Sequence, residues 1–389
     1  MIQKILIFNF TGINTAASIL TEGLKLNKKI KVFSTTKSNY GADVAINSDR
    51  LYNVTQLPQP QRNITSKSDL VFVDNAGPHG AYVSSIVCDS DQYIVECQDL
   101  MEECDLVVIF DDKKTSTAHF DSNDGVKTDL LEFALQCHKD KVVMVDGSDF
   151  HAMEYGNFEG SHPAYYKILF KREKNLDDKY PDNVESLPFA SEERYFASGK
   201  NFDEMWKGKN LNASSLFRCD IDNERMHTKK VLGNRYKEDD TFVLGNVFGR
   251  NKNDGIDEQL EGTDIGECVK HHHNYFNILS KVKINIEGRP GHDAFYTGRM
   301  MESLANGCCY FYPTPTYNVD FPNGLIDGED FVIYKGENDL IKKVEYYLSH
   351  EDEMRTIAEN GFNKLIKYHT SEVRAKEFIE TCERYMCEN

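Results

Sequence analysis

The run Ile284-Asn285-Ile286-Glu287-Gly288-Arg289-Pro290-Gly291-His292-Asp293-Ala294-Phe295-Tyr296-Thr297-Gly298-Arg299-Met300-Met301-Glu302-Ser303-Leu304-Ala305-Asn306-Gly307-Cys308-Cys309 decides how this chain folds. Its reading is a buried strand over 282–286, a glycine-bearing loop, an amphipathic helix starting near 291–293 and ending at Gly307, and a second apolar strand over 308–312. Gly288, Pro290 and Gly291 keep the loop tight and let backbone N–H groups approach a ligand. A helix start at Gly291 and His292 would turn its positive end toward that loop, which suits a phosphate-bearing ligand. Arg299 and Glu302, three residues apart, would share one helical face. The Arg offers a bidentate grip on phosphate, and the Glu accepts two hydrogen bonds from a vicinal diol such as ribose. The same two residues also read as an exposed helical ion pair, worth a few tenths of a kcal/mol.

Working outward, short apolar strands alternate with helices on both sides of this unit. Strands are expected at 4–8, 30–34, 70–74, 106–110, 142–145 and 166–170, with helices at 16–26 and 126–138. Near-continuous apolar strands joined by helices specify a parallel sheet covered on both faces. Periodicity weakens from 172 to 212, where Asp, Pro, Ser and Gly cluster as in a connection. A second series follows: strand 214–218, helix 223–232, strand 242–245, helix 269–279, the unit already quoted, a short strand 331–334, and helices 337–349, 351–368 and 371–386. Asn338 and Ser371 are expected to cap the first and third of these. Two doubly wound α/β halves result.

Composition excludes several classes. With 389 residues, 40% of them hydrophobic, two globular domains are expected. No apolar run reaches the roughly 20 residues that span a bilayer, and the N-terminal residues read as a core strand rather than a secretory signal. Ten cysteines lie scattered without CxxC pairs, the usage of a reducing, cytoplasmic compartment. The Asn-x-Ser/Thr matches at Asn53, Asn63 and Asn212 are then coincidental. A net charge of −18 argues against non-specific coating of nucleic acid.

Read together, Arg299-Met-Met-Glu302-Ser-Leu-Ala-Asn-Gly307, Asp327-Gly-Glu-Asp330, Leu340-Ile-Lys-Lys-Val-Glu-Tyr-Tyr-Leu348, Ile357-Ala-Glu-Asn-Gly361 and His369-Thr370 before Arg374 resemble a glycosyltransferase domain. The likeness is to the group-1-type domain of spore-maturation CgeB-like proteins, of GT-B architecture, over residues 214–380. It implies two Rossmann-like domains facing across a cleft, with a last helix crossing back to the first: 1–205 on the acceptor side, 206–370 on the nucleotide-sugar side, and 371–389 returning. It implies that Glu302 holds the ribose and Arg299 the diphosphate of a nucleotide-sugar co-substrate, with no permanent cofactor and no metal. Arg218, Gly291 and His292 join the expected donor site. Many retaining members carry a second Glu eight residues before the ribose-binding one; here that position is Ala294, beside Asp293, so the stereochemical outcome stays open.

Acceptor-side candidates sit where open α/β sheets bind ligands, after the strands of the first half: Asp74, Asn75, Asp111, Asp146 and His151. Asp149 and His79 are the candidates for taking the acceptor's proton. Lys171 and Arg172 are placed to meet an anion. Asp220-Ile-Asp222 matches a metal-holding Asp-x-Asp, but Asp222 reads equally as a helix cap. Cys268 with His271–His273 lacks zinc spacing, because consecutive histidines point in different directions on a helix. The acceptor is either a polysaccharide or cell-surface precursor, or a hydroxylated base in phage DNA. A sugar-nucleotide epimerase and a non-catalytic nucleotide-sugar-binding module of the same fold stay open as alternatives.

Overall fold

The computed structural model describes residues 1–9, 15–34, 98–111, 134–136, 138–147, 166–172, 174–216, 223–245, 272–288 and 297–387. The chain divides into two compact units: Met1–Phe189 with Asn318–Asp320 and Ser371–Asn389, and Ala190–Tyr317 with Phe321–Thr370.

In the first unit the described strands are β1 (Lys4–Asn9), β2 (Lys31–Ser34), β3 (Leu106–Asp111), β4 (Val142–Asp146), β5 (Ile168–Lys171) and β6 (Val184–Ser186). They form one sheet in the order β2-β1-β3-β4-β5-β6, parallel throughout. Val107, Val108, Val142, Val143 and Ile168 are fully buried, as strands covered on both faces require. Helix α1 (Thr15–Leu26) packs on the C-terminal helix of the chain, which belongs to this unit. The strand expected at 70–74 and most of the helix expected at 126–138 lie outside the described residues.

The second unit adds α2 (Phe202–Lys207), β7 (Leu211–Leu216), α3 (Asn223–Tyr236), β8 (Phe242–Gly245), α4 (His272–Lys281), β9 (Val282–Ile286), α5 (Gly298–Ala305), β10 (Cys309–Pro313), β11 (Val332–Tyr334), α6 (Gly336–Ser349) and α7 (Glu351–Tyr368). The last helix, α8 (Ser371–Cys387), returns to the first unit. The sheet order is β11-β10-β9-β7-β8, again parallel. The architecture is α/β, with two Rossmann-like domains of the GT-B type.

Several expectations change. The stretch 172–212 holds β6, α2 and the start of β7 rather than a plain connection; Asn201 caps α2 by accepting a hydrogen bond from the Glu204 N–H. Asn338 caps nothing at the start of α6, which already begins at Gly336, while Asp339 accepts from the Lys335 N–H at 2.7 Å. The helix of the opening stretch starts at Gly298, because Thr297 is still extended and its side chain caps the Met300 N–H. Gly307 ends it in the left-handed region at φ +63°, where a side chain would be strained. Gly361, inside α7, is a contact glycine: a Cβ there would lie 2.3 Å from the Asp330 carbonyl oxygen. That carbonyl belongs to the Asp327–Asp330 turn, whose Asp330 carboxylate accepts from Ile326 N–H at 2.8 Å and pairs with Lys364 at 2.7 Å.

A buried lysine ties the second unit together. Lys209 donates to the carbonyls of Val282 (2.7 Å), Asn306 (2.8 Å) and Leu279 (3.4 Å), at the ends of α4 and α5 and the start of β9. Burial lowers its pKa from the ordinary lysine value.

Candidate functional site

In an open parallel sheet, ligands bind outside the carboxyl ends of the strands where the strand order reverses. In the second sheet that point is β7 and β9, because β8 lies on one side of β7 and β9 on the other. Glu287, the first residue past β9, stands there and is 1% exposed. Its backbone is fixed from the neighbouring strands: its N–H donates to the Phe311 carbonyl at 2.9 Å, and its carbonyl accepts from the Tyr334 hydroxyl at 2.6 Å.

Two arginines converge on its carboxylate. Arg299, in the first turn of α5, donates from Nε to Oε2 at 2.7 Å. Arg225, on the helix that follows β7, brings a terminal guanidinium nitrogen to 3.3 Å from Oε1. The Tyr310 hydroxyl donates to Oε2 at 3.4 Å. Burial first, and the Glu287 charge second, raise the Tyr310 pKa well above the ordinary value, so this hydroxyl stays a donor. Beneath the cluster a polar chain fixes α5 on the sheet. Ser214 Oγ donates to Asn285 Oδ1 (2.8 Å), Asn285 Nδ2 to Ser303 Oγ (2.6 Å), and Ser303 Oγ to the Arg299 carbonyl (2.6 Å). All three side chains are buried, so each satisfied bond matters for the helix position.

Of the expected donor residues, Arg299 lies in this cluster. Glu302 sits on the same helix and is 1% exposed, which removes the reading of an exposed ion pair with Arg299. Arg218, Gly291 and His292 lie outside the described residues. A helix beginning at 291–293 is corrected by the Thr297 cap, so the positive end of α5 belongs to residues 297–300. Glu287 and Arg225 were not singled out by sequence. The signal for Glu287 was a carboxylate placed directly after an apolar central strand.

In the first unit, register places Asp111 beside Asp146, and Asp146 beside Lys171, across the carboxyl ends of β3, β4 and β5. Lys171 is fully buried and donates to Asp146 Oδ2 at 2.7 Å, while the aspartate side chain is 21% exposed. Arg172 stacks on Phe189 with its guanidinium 4.3 Å from the ring centre. Asp74, Asn75, His79, Asp149 and His151 lie outside the described residues, as do Asp220, Asp222, Cys268 and His271. Among the described residues no group of three or more His, Cys, Asp and Glu side chains is placed to hold a metal ion. No helix among them is long and apolar enough to cross a membrane.

Comparison with known proteins agrees with this architecture. The glycosyl transferase-like family model matches residues 217–380. No curated protein sequence matches the chain. Among solved structures, a glycosyltransferase from Rickettsia africae is similar at TM-score 0.58 with 10% identity, over 100% of this chain and 99% of that one. An α-glucosyltransferase, solved with UDP and a 13-mer DNA containing an HMU base, is similar at TM-score 0.57 with 10% identity, over 98% and 100%. Anabaena HepE, solved with UDP and glucose, is similar at TM-score 0.54 with 9% identity, over 98% and 100%. Residues 217–380 therefore resemble a glycosyl transferase-like domain, and the chain shares the GT-B fold of these solved structures.

Proposed function

We propose that the protein transfers a sugar from a nucleotide-sugar donor to a hydroxyl acceptor without a metal ion. The observation that carries this reading is the pair of arginines on Glu287 at the strand-order switch of the second sheet. When the bond between the sugar and the diphosphate breaks, negative charge grows on the departing phosphate. Guanidinium groups already oriented there stabilise that charge in place of a metal. Arg299 takes the diphosphate and Glu302 the ribose hydroxyls, with Arg218, Gly291 and His292 completing the donor site. The acceptor lies against Asp74, Asn75, Asp111, Asp146 and His151, and its proton passes to Asp149 or His79. Five described cysteines are free thiols, which supports work in a reducing, cytoplasmic compartment.

Uridine nucleotides are the first donors to test, because HepE and the α-glucosyltransferase were solved with UDP. Calorimetry with UDP, GDP, ADP and CDP is expected to show one tight nucleotide. Arg299→Ala is expected to weaken it about ten- to hundred-fold, from the roughly 1.5–3 kcal/mol of a charged hydrogen bond. Unchanged affinity in a folded Arg299→Ala protein would refute the donor site. Incubation with nucleotide sugars then separates the alternatives. Free nucleotide released only with acceptor supports transfer, an isomerised sugar supports epimerisation, and binding without turnover supports a module.

A glycan precursor is the first acceptor reading. A hydroxymethylated base in DNA is the second, and the DNA-bound α-glucosyltransferase favours testing it. The chain's −18 charge speaks against tight duplex binding. A gel shift with modified duplex DNA at low salt decides between them, and no shift removes the DNA acceptor.

A further inference from the structure

We infer that Asp327, Asp339 and Lys343 guard the outer edge of the second sheet, keeping it from pairing with the same edge of a second copy of this chain. This role is independent of the donor site. It uses the Asp327–Asp330 turn and the first half of α6, which sugar transfer leaves idle.

Among the described strands β11 ends its sheet, bonded on one side to β10. In a parallel pair, alternate residues turn their N–H and C=O toward the partner strand and away from it. Tyr334 turns toward β10, since its carbonyl accepts from the Thr314 N–H at 3.0 Å. Ile333 therefore turns its own N–H and C=O outward, with the Phe331 carbonyl and the Lys335 N–H on the same side. Each of these outward groups has a partner. Asp327 accepts from the Ile333 N–H at 2.7 Å, and Lys343 donates to the Ile333 carbonyl. Asp339 accepts from the Lys335 N–H at 2.7 Å, and the Gly328 N–H donates to the Phe331 carbonyl at 2.8 Å. Asp339 and Lys343 also pair with each other along α6 at 3.5 Å. From the Phe331 carbonyl to the Lys335 N–H, the outer edge is already hydrogen-bonded and has nothing to offer another strand.

The sequence of the strand explains why its edge needs guarding. Phe331-Val332-Ile333-Tyr334 is a run of β-branched and aromatic residues with no charge and no proline. A bare edge of this composition is a template for adding a further strand. Charged side chains, lysine above all, are what blunt such edges. Here they come from close by in the chain: Asp327 lies 6 positions before Ile333, and Lys343 lies 10 after it. Gly328, at φ +78°, turns the chain back so that Asp327 meets the strand it precedes. A second copy is the occupant an opened edge would take. Two identical edges meet about a twofold axis, and their antiparallel pairing closes a dimer.

The test opens the edge without changing net charge. Asp327→Ala with Lys343→Met removes one negative and one positive charge, so the chain stays at −18. Sedimentation and amide hydrogen exchange are read on the full-length wild type and double variant across a concentration series. The variant is expected to gain a species of about twice the wild-type mass, the closed pair of an isologous contact. Amides 331–335 should exchange roughly ten-fold faster than in wild type when dilute, and regain protection as that species forms. Lys376→Ala with Glu380→Ala removes an exposed pair on α8 and, as the control, should behave as wild type. Adding Ile333→Pro to the double variant removes the outward N–H altogether and should abolish the larger species. Unchanged mass in a folded double variant overturns the guard. So does a larger species that leaves 331–335 unprotected or survives Ile333→Pro. Should Asp327→Ala unfold the turn, Lys343→Met alone uncovers the Ile333 carbonyl and is held to the same outcomes.

Discussion

The carboxyl ends of the two sheets are built on the same plan and charged in opposite ways. In the second unit one buried carboxylate pairs with two less deeply buried arginines. In the first, one buried lysine anchors an outward aspartate, with Asp111 next to it in register. Each unit thus pairs a deeply buried charge with a less buried opposite one, the buried charge being negative in the second unit and positive in the first. In both units these charges stand at or just past the carboxyl end of a strand, so the same parallel-sheet frame carries opposite signs in its interior.

The largest expected effect tests the acidic end. Asp146→Asn leaves a fully buried ammonium facing an amide, and denaturant unfolding is expected to show a loss of about 3–5 kcal/mol. The double variant Asp146→Asn with Lys171→Met is expected to recover most of that loss. Nucleotide affinity should not move in either; if it does, the two ends are not separate sites. Next, Gly361→Ala drives a Cβ toward the Asp330 carbonyl and the Leu304 side chain of the arginine-bearing helix. Overpacking of this kind costs about 1–3 kcal/mol. It should weaken nucleotide binding by moving α5, measured by denaturation and calorimetry on the same sample.

The smallest effect lies before the amino end of β4, the end opposite the one that carries Asp146. Burial, followed by the Lys141 charge, lowers the His138 pKa from its ordinary 6.5. As pH falls below 6.5, the unfolded chain takes up the proton before the folded one, so stability falls with pH in that window and is unaffected above it. His138→Gln is expected to flatten the melting temperature between neutral and mildly acid pH. An unchanged slope would place the acid sensitivity elsewhere, with the strand-end carboxylates as the next candidates.

Most of the described strands were legible because parallel strands buried on both faces carry unbroken apolar runs, as in 106–110 and 142–145. The short β6 and α2 were not, since their residues sit among Pro, Gly and Asp and draw their stability from packing. Phe202 of α2, for example, approaches the space above Gly307. The start of α5 was misplaced because Gly291 is a plausible helix entry until Thr297 is seen to cap. Arg299 was legible from its neighbours along the chain. Arg225 and Glu287 were not, because their meeting depends on which strands lie side by side, and no spacing rule encodes that.

Lys209 gives the arginine-bearing helix a hinge point it cannot use. One ammonium holds the tail of α5, the tail of α4 and the root of β9, so any swing of α5 would strip a cation buried in the protein interior. The frame around this helix is therefore set by folding itself, before any contact with another molecule.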